Sequence, residues 1–245
     1  ALAAPKDAAL IALLPGGEPG HHGWAAAFDA LLPPARRRLV DGREALVLPA
    51  GPTAYLVHPD TSAAPILSDL AAESGSPLPV RDGGDASYRF YRWQPEPLTL
   101  DASCEGPPRW RPPSATDEGS RLTLIGYEWS GAARPSGSIE WTTIWRVEGR
   151  PPRDVDLHWF NHLIDGEGVR WGQKDGAGLP PSKWRDGDTI LTWFTIPIAE
   201  DASPPPYFVR TGLYTYPDVV NVPVNLAPEQ PPAQFVELGP IDGRP

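Results

Sequence analysis

The sequence predicts an α+β protein in two parts, a small α/β N-terminal domain followed by an antiparallel β-sandwich of immunoglobulin-like or jelly-roll-like type. Three observations predict it. Residues 9 to 93 alternate short apolar runs with stretches of helical periodicity. Beyond residue 118 that periodicity disappears, and strand-like runs recur at roughly ten-residue spacing with turn residues between them. A proline-rich stretch separates the two, including PPRWRPP at 107 to 113, and suits an extended connection. The expected boundaries are 1–95 for the α/β domain, 96–118 for the connecting segment, 119–228 for the sandwich and 229–245 for a proline-rich tail.

Taken in order, ALIALL (9 to 14) reads as a buried strand. GWAAAFDALL places Trp24, Phe28, Leu31 and Leu32 on one helical face and stops at Pro33-Pro34. REALVLP and TAYLVHP read as strands around a Gly51-Pro52 turn, and SAAPILSDLAAESG as a helix carrying Ile66, Leu67 and Leu70 and ended by Gly75. SYRFYRW (87 to 93) alternates like a strand. In the second part, SIEWTTIWRVE sets Ile139, Trp141, Thr143, Trp145 and Val147 on one face against Glu140, Thr142, Arg146 and Glu148 on the other, with Ile144 the exception. RLTLIGYEW, DLHWFNHLI, EGVRWGQ, DTILTWFTIPI, YFVRTGLYTY and VVNVPVNL supply the remaining strands.

Composition limits the function. The chain has 245 residues and 40% hydrophobic residues, enough for a sizeable core. Its 21 basic against 31 acidic residues, a net charge of −10, oppose nucleic acid as a partner, because that affinity rests on neutralising phosphates. No apolar run reaches the ~18 residues of a membrane span. The single cysteine, Cys104, excludes an intrachain disulfide and a multi-cysteine zinc cage. The absence of methionine predicts a fragment or a mature form, and three asparagines and four glutamines beside 33 prolines fit either a thermophilic source or high-GC codon usage.

Among candidate sites, DLHWFNHLIDGEGVRWGQKD (156 to 175) is the richest. Strand alternation points His158, Phe160 and His162 to one side and Trp159 and Asn161 to the other. The two histidines with Asp175 have the residue types of a three-ligand zinc site, but the bulky Phe160 between them favours structural histidines, so no metal is expected. Asp165 with Glu167 and Asp186 with Asp188 sit in glycine-containing turns, where aspartate serves the backbone. GGEPGHHG lacks the Lys-Ser/Thr of a P-loop, and there is no Gly-x-Ser-x-Gly elbow, so neither a cofactor nor a catalytic residue is assigned. The ten tryptophans suggest sugar stacking. Trp141 and Trp145 belong to a core face, which leaves Trp110, Trp171 and Trp184 as ligand-binding candidates together with His162 and Asp175.

RRRLVDGREALVLPAGPTAYLVHP with the later DLHWFNHLIDGEGVRWGQKDG, PPSKWRDGDTILTWFTIPI and YFVRTGLYTY resembles the soluble extracytoplasmic C-terminal region of bacterial multi-spanning glycosyltransferases of the dolichyl-phosphate-mannose protein mannosyltransferase and aminoarabinose-transferase group. The matching positions are Asp41, Gly42 and Arg43; Phe160, His162, Leu163, Asp165 and Gly168; Trp184, Gly187 and Asp188; and Gly212, Leu213 and Tyr214. His158 and Asn161 depart from the pattern, which expects aliphatic residues there. The resemblance implies a non-catalytic accessory region of a polyprenyl-phosphate-sugar-dependent enzyme. Its partners would be an acceptor glycan or lipid-linked sugar, and its tether an N-terminal membrane region absent from this chain. An independent secreted carbohydrate-binding protein is the alternative; a third is a hydrolase whose carboxylates converge only on folding.

Overall fold

The computed structural model describes residues 9–17, 20–31, 37–73, 78–79, 87–95, 109–110, 121–150, 154–227 and 229–242. The chain divides into two compact units, Ala1–Leu98 and Thr99–Pro245.

The first unit runs β1 (Ala9–Leu14), α1 (Gly23–Leu31), β2 (Arg37–Asp41), β3 (Ala45–Leu48), β4 (Thr53–Val57), α2 (Ala63–Leu70), β5 (Ala72–Glu73), β6 (Leu78–Pro79) and β7 (Ser87–Trp93). β1 lies between β2 and β4, parallel to both, while β4, β5 and β6 pair antiparallel with β7. A central parallel strand has both faces covered, which explains why β1 is an unbroken apolar run with Ile11 to Leu14 buried. Ala12, Leu14, Ala25, Leu39, Leu56 and Tyr88 form a core cluster with Leu10, Phe28 and Phe90 packed against it.

Three sequence expectations differ here. Ala25 and Phe28, one turn apart, face the core, so Trp24 is 37% exposed and meets His58 and Tyr88 instead. The second helix ends at Leu70 rather than near Gly75, because Ala71 takes extended backbone and β5 begins. β2 was hidden in the sequence by the arginine run ahead of Leu39 and Val40.

The second unit comprises β8 (Arg109–Trp110), β9 (Arg121–Gly131), β10 (Ser138–Glu148), β11 (Leu157–Ile164), β12 (Arg170–Gln173), β13 (Thr189–Pro197), β14 (Tyr207–Thr215), β15 (Val220–Asn221), β16 (Val224–Asn225) and β17 (Val236–Ile241), with a 3-10 turn at Pro181–Lys183. One sheet contains the run β16-β8-β9-β10-β13; the other runs β12-β11-β14, with β15 and β17 both on β14. All these pairings are antiparallel. The described chain is thus mostly β.

β10 behaves as its alternation requires: Ile139, Trp141, Thr143, Trp145 and Val147 are buried, while Glu140, Arg146 and Glu148 are exposed. Ile144 is buried as well, at the point where the register with β9 shifts. The hydroxyls of Thr143 and Thr192 lie 2.8 Å apart, and Trp145 Nε1 donates to Thr143 Oγ1 at 2.7 Å, so these three side chains satisfy one another. Trp145 of one sheet meets Trp159 of the other with ring centres 6.4 Å apart, and Trp159 meets Trp184 at 6.0 Å.

Two stretches read as irregular contribute strands. Arg109 and Trp110, inside the expected connecting segment, pair with both β9 and β16. Val236, Leu238 and Ile241, inside the expected tail, are buried on β17 against β14. Pro240 is accommodated there because the register shifts beside it. VVNVPVNL, read as one strand, divides into β15 and β16 on different sheets, with Pro223 between them.

Candidate functional site

The outer face of β11 and β14 collects the side chains that composition alone could not bring together. Register opposes His158 to Tyr214, Phe160 to Gly212 and His162 to Arg210. Each pair shares one side of the sheet, so the alternation read from DLHWFNHLI holds: Trp159 and Asn161 are wholly buried, while His158 and His162 are half-buried on the outer side. Asn161 is satisfied inside, accepting from Thr211 Oγ1 at 2.9 Å and donating to Lys174 O at 3.2 Å.

On that outer face Tyr216, 51% exposed, stacks on His158 with centroids 4.4 Å apart and planes 3° from parallel. Tyr214 lies 5.6 Å from His158 and 6.4 Å from Phe160, and Phe160 lies 5.1 Å from His162. Carboxylates flank the rings. Asp156 is 3.9 Å from His158 Nε2, and Asp175 is 3.9 Å from His162 Nε2. The Oδ1 atom of Asp175 is buried and accepts no hydrogen bond. Arg210 on β14 is held by Glu237 of β17 at 3.0 Å.

Burial governs the titration of two rings on this surface, Tyr214 and His162. Burial pushes the Tyr214 phenol above its usual range, and the nearby Asp175, Tyr216 and Asp156 push the same way. Burial pulls His162 below the usual imidazole range; Asp175 opposes this, while Arg170 and Arg210 reinforce it. Tyr214 therefore stays a hydroxyl and His162 a neutral ring at neutral pH, each able to donate and accept a hydrogen bond.

The five residues singled out from sequence have different fates. His162 and Asp175 meet on this face. Trp171 is half-buried, and its Nε1 is committed to Asp165 Oδ2 at 2.7 Å, so its polar edge anchors the turn. Trp184 is only 3% exposed, with its ring against Trp159 and its Nε1 donating to Leu179 O at 2.8 Å; it anchors a loop and is not an open stacking surface. Trp110 has its backbone on β8, and its side chain lies outside the described residues. Sequence reasoning missed Tyr216 as a contact residue. Its signal was the spacing LYTYP, where Tyr214 and Tyr216 two apart on an extended segment share a side.

The acids expected in turns are there. Asp165 Oδ1 accepts the amides of Glu167 and Val169 at 2.9 and 3.0 Å, and Oδ2 accepts from Trp171 Nε1 and Ser203 Oγ. These bonds, led by that of Trp171, hold its carboxyl down at about 2, which makes it a structural anion. Among the described residues no group of three or more histidine, cysteine or acidic side chains is placed to hold a metal ion, and no helix is long and apolar enough to cross a membrane.

No protein-family model matches the chain, and no curated protein matches it. Among solved structures the C-terminal domain of wzt is similar at 12% identity and a TM-score of 0.33, covering 56% of this chain and 79% of that one.

Proposed function

We propose that this protein binds a glycan on the outer face of β11 and β14. The observation that carries the reading is the half-exposed Tyr216, stacked parallel on His158 beside Tyr214. Flat aromatic faces pack on the C–H face of a sugar ring, and the surrounding Asp156, Asp175, His162 and Arg210 supply directional partners for its hydroxyls. The unpartnered Asp175 Oδ1 beside His162 supports this, since a small shift of either side chain gives that oxygen a donor from a ligand.

The decisive experiment is a glycan array with the full chain, followed by calorimetry on the best ligand with the wild type and Tyr216→Ala. Loss of the exposed ring is expected to weaken binding by about tenfold or more, equivalent to ~1.4 kcal/mol. Unchanged affinity in that variant places any glycan elsewhere.

The finer reading is a small α/β domain joined to a β-sandwich, immunoglobulin-like or jelly-roll-like, serving as a non-catalytic, extracytoplasmic region of a membrane-tethered glycosyltransferase that uses lipid-linked sugar. The parallel pairs around β1 support the first part, and the Trp145–Trp159 contact between two antiparallel sheets supports the second. The glycosyltransferase association rests on the sequence resemblance alone. Hydropathy of the encoding gene upstream of Ala1 tests it: several apolar segments of about 20 residues are expected. A short signal peptide there instead favours an independent secreted carbohydrate-binding protein.

A further inference from the structure

Two histidine–carboxylate pairs stand at opposite ends of the aromatic row on β11 and β14. At one end His158 Nε2 is 3.9 Å from Asp156 Oδ2; at the other His162 Nε2 is 3.9 Å from Asp175 Oδ1. That separation is too long for a direct hydrogen bond, and an oxygen about 2.8 Å from both atoms fits between each pair. The Tyr214 hydroxyl lies 3.5 Å from His158 Nδ1, which leaves Nε2 of the neutral ring to carry the proton that faces Asp156. At the other end Asp175 Oδ1 is buried and accepts nothing. A third of the Asp175 side chain is exposed at 33%, and its carboxyl torsion is soft, so a small rotation brings that oxygen to a ligand. Each pair thus offers one donor and one acceptor to the same point.

A hydroxyl meets both demands at once, donating to the carboxylate and accepting from the imidazole N–H. An ammonium has no lone pair for the imidazole, and a carboxylate has no proton for the aspartate. The pairs therefore select neutral, hydroxyl-bearing sugars. Their spacing sets the size. His158 and His162 are four residues apart on one face of β11, or ~14 Å at ~3.4 Å per residue. Between them lie Tyr214 and Phe160, with successive ring centres 5.6, 6.4 and 5.1 Å apart. One sugar ring covers about one of those intervals, so a single residue reaches one pair and a chain of three or more reaches both.

We infer that this face takes a linear, neutral oligosaccharide of three or more residues lying along β11, with one hydroxyl bridging His158 and Asp156 and another bridging His162 and Asp175. The inference rests on the glycan reading of the face and adds to it the length, course and charge class of the ligand.

The test is calorimetry of the full chain with cello-, malto- and mannooligosaccharides of one to five residues and with glucosamine and galacturonate trimers, repeated on Asp156→Ala, Asp175→Ala and Tyr216→Ala. Asp175 Oδ1 has no partner in the fold, so its loss removes no structural bond there, and circular dichroism checks that each variant folds. In at least one neutral series, affinity is expected to rise about tenfold or more from the monosaccharide to the trisaccharide. Either carboxylate variant should remove that gain, and the charged trimers should bind at least about tenfold more weakly than the neutral one. Three results overturn the inference while Tyr216-dependent binding stands: a monosaccharide that binds as tightly as the trisaccharide, a gain with length that survives loss of either carboxylate, or charged trimers that bind equally well. Binding indifferent to Tyr216→Ala, or no binding by any of these sugars, overturns the glycan reading and this inference with it.

Discussion

At the scale of single residues, the acids and indoles of this protein serve mainly to hold its turns. Asp165 accepts four hydrogen bonds, and its folded pKa of about 2 lies below the ~3.9 of an unfolded aspartate. A depressed carboxylate stabilises the fold fully above the unfolded value, and that contribution disappears as the pH falls from about 4 to about 2. Asp165→Asn is therefore expected to melt lower at neutral pH and to show a shallower decline of Tm through that acid window. Thermal scans across pH check this; parallel curves for the two proteins would rule it out. The indoles divide similarly. Trp145 Nε1 donates to Thr143, whereas Trp159 Nε1 is buried without a partner. Replacement by phenylalanine at 145 is expected to cost about 0.5–1.5 kcal/mol more than at 159, measured by urea denaturation.

At the scale of elements, the glycine-containing turn and strand motifs resolve into packing devices. Gly168 occupies the left-handed region at φ 82°, closing the turn that Asp165 caps. Gly187, at φ 79°, does the same before Asp188. Gly212 on β14 has no side chain because the Phe160 ring lies over it: an added Cβ would stand 2.6 Å from Phe160 Cζ. Gly212→Ala is expected to lose about 1–3 kcal/mol, partly recovered in combination with Phe160→Leu, which makes room. A chemical-denaturation double-mutant cycle measures the recovery, and strictly additive losses would show that the two positions do not couple. The same substitution moves the ring that supports Tyr214 and His162, so glycan affinity should fall with it.

At the scale of the whole molecule, charge is the controlling property. A net charge of −10 predicts that the chain passes through a polyanion column at physiological salt. Retention that falls steeply with salt would contradict this. The two units differ in how they use their strands. The first wraps a mixed sheet with two short helices, and the second builds antiparallel sheets around a layer of tryptophans.

The sequence by itself determined the periodic parts. The faces of β10 and β11, the buried run of β1 and the aspartate turns follow from side-chain alternation and backbone chemistry, which are local. It did not reveal β8 or β17, because two residues or a Gly-Pro-broken run become strands only when a neighbouring edge supplies hydrogen bonds. Nor did it separate Trp184, sealed in the core, from Tyr216, open on the surface. Pairing register decided that: it set Tyr214 beside His158 across 56 residues, so the aromatic face exists only once β11 and β14 are joined.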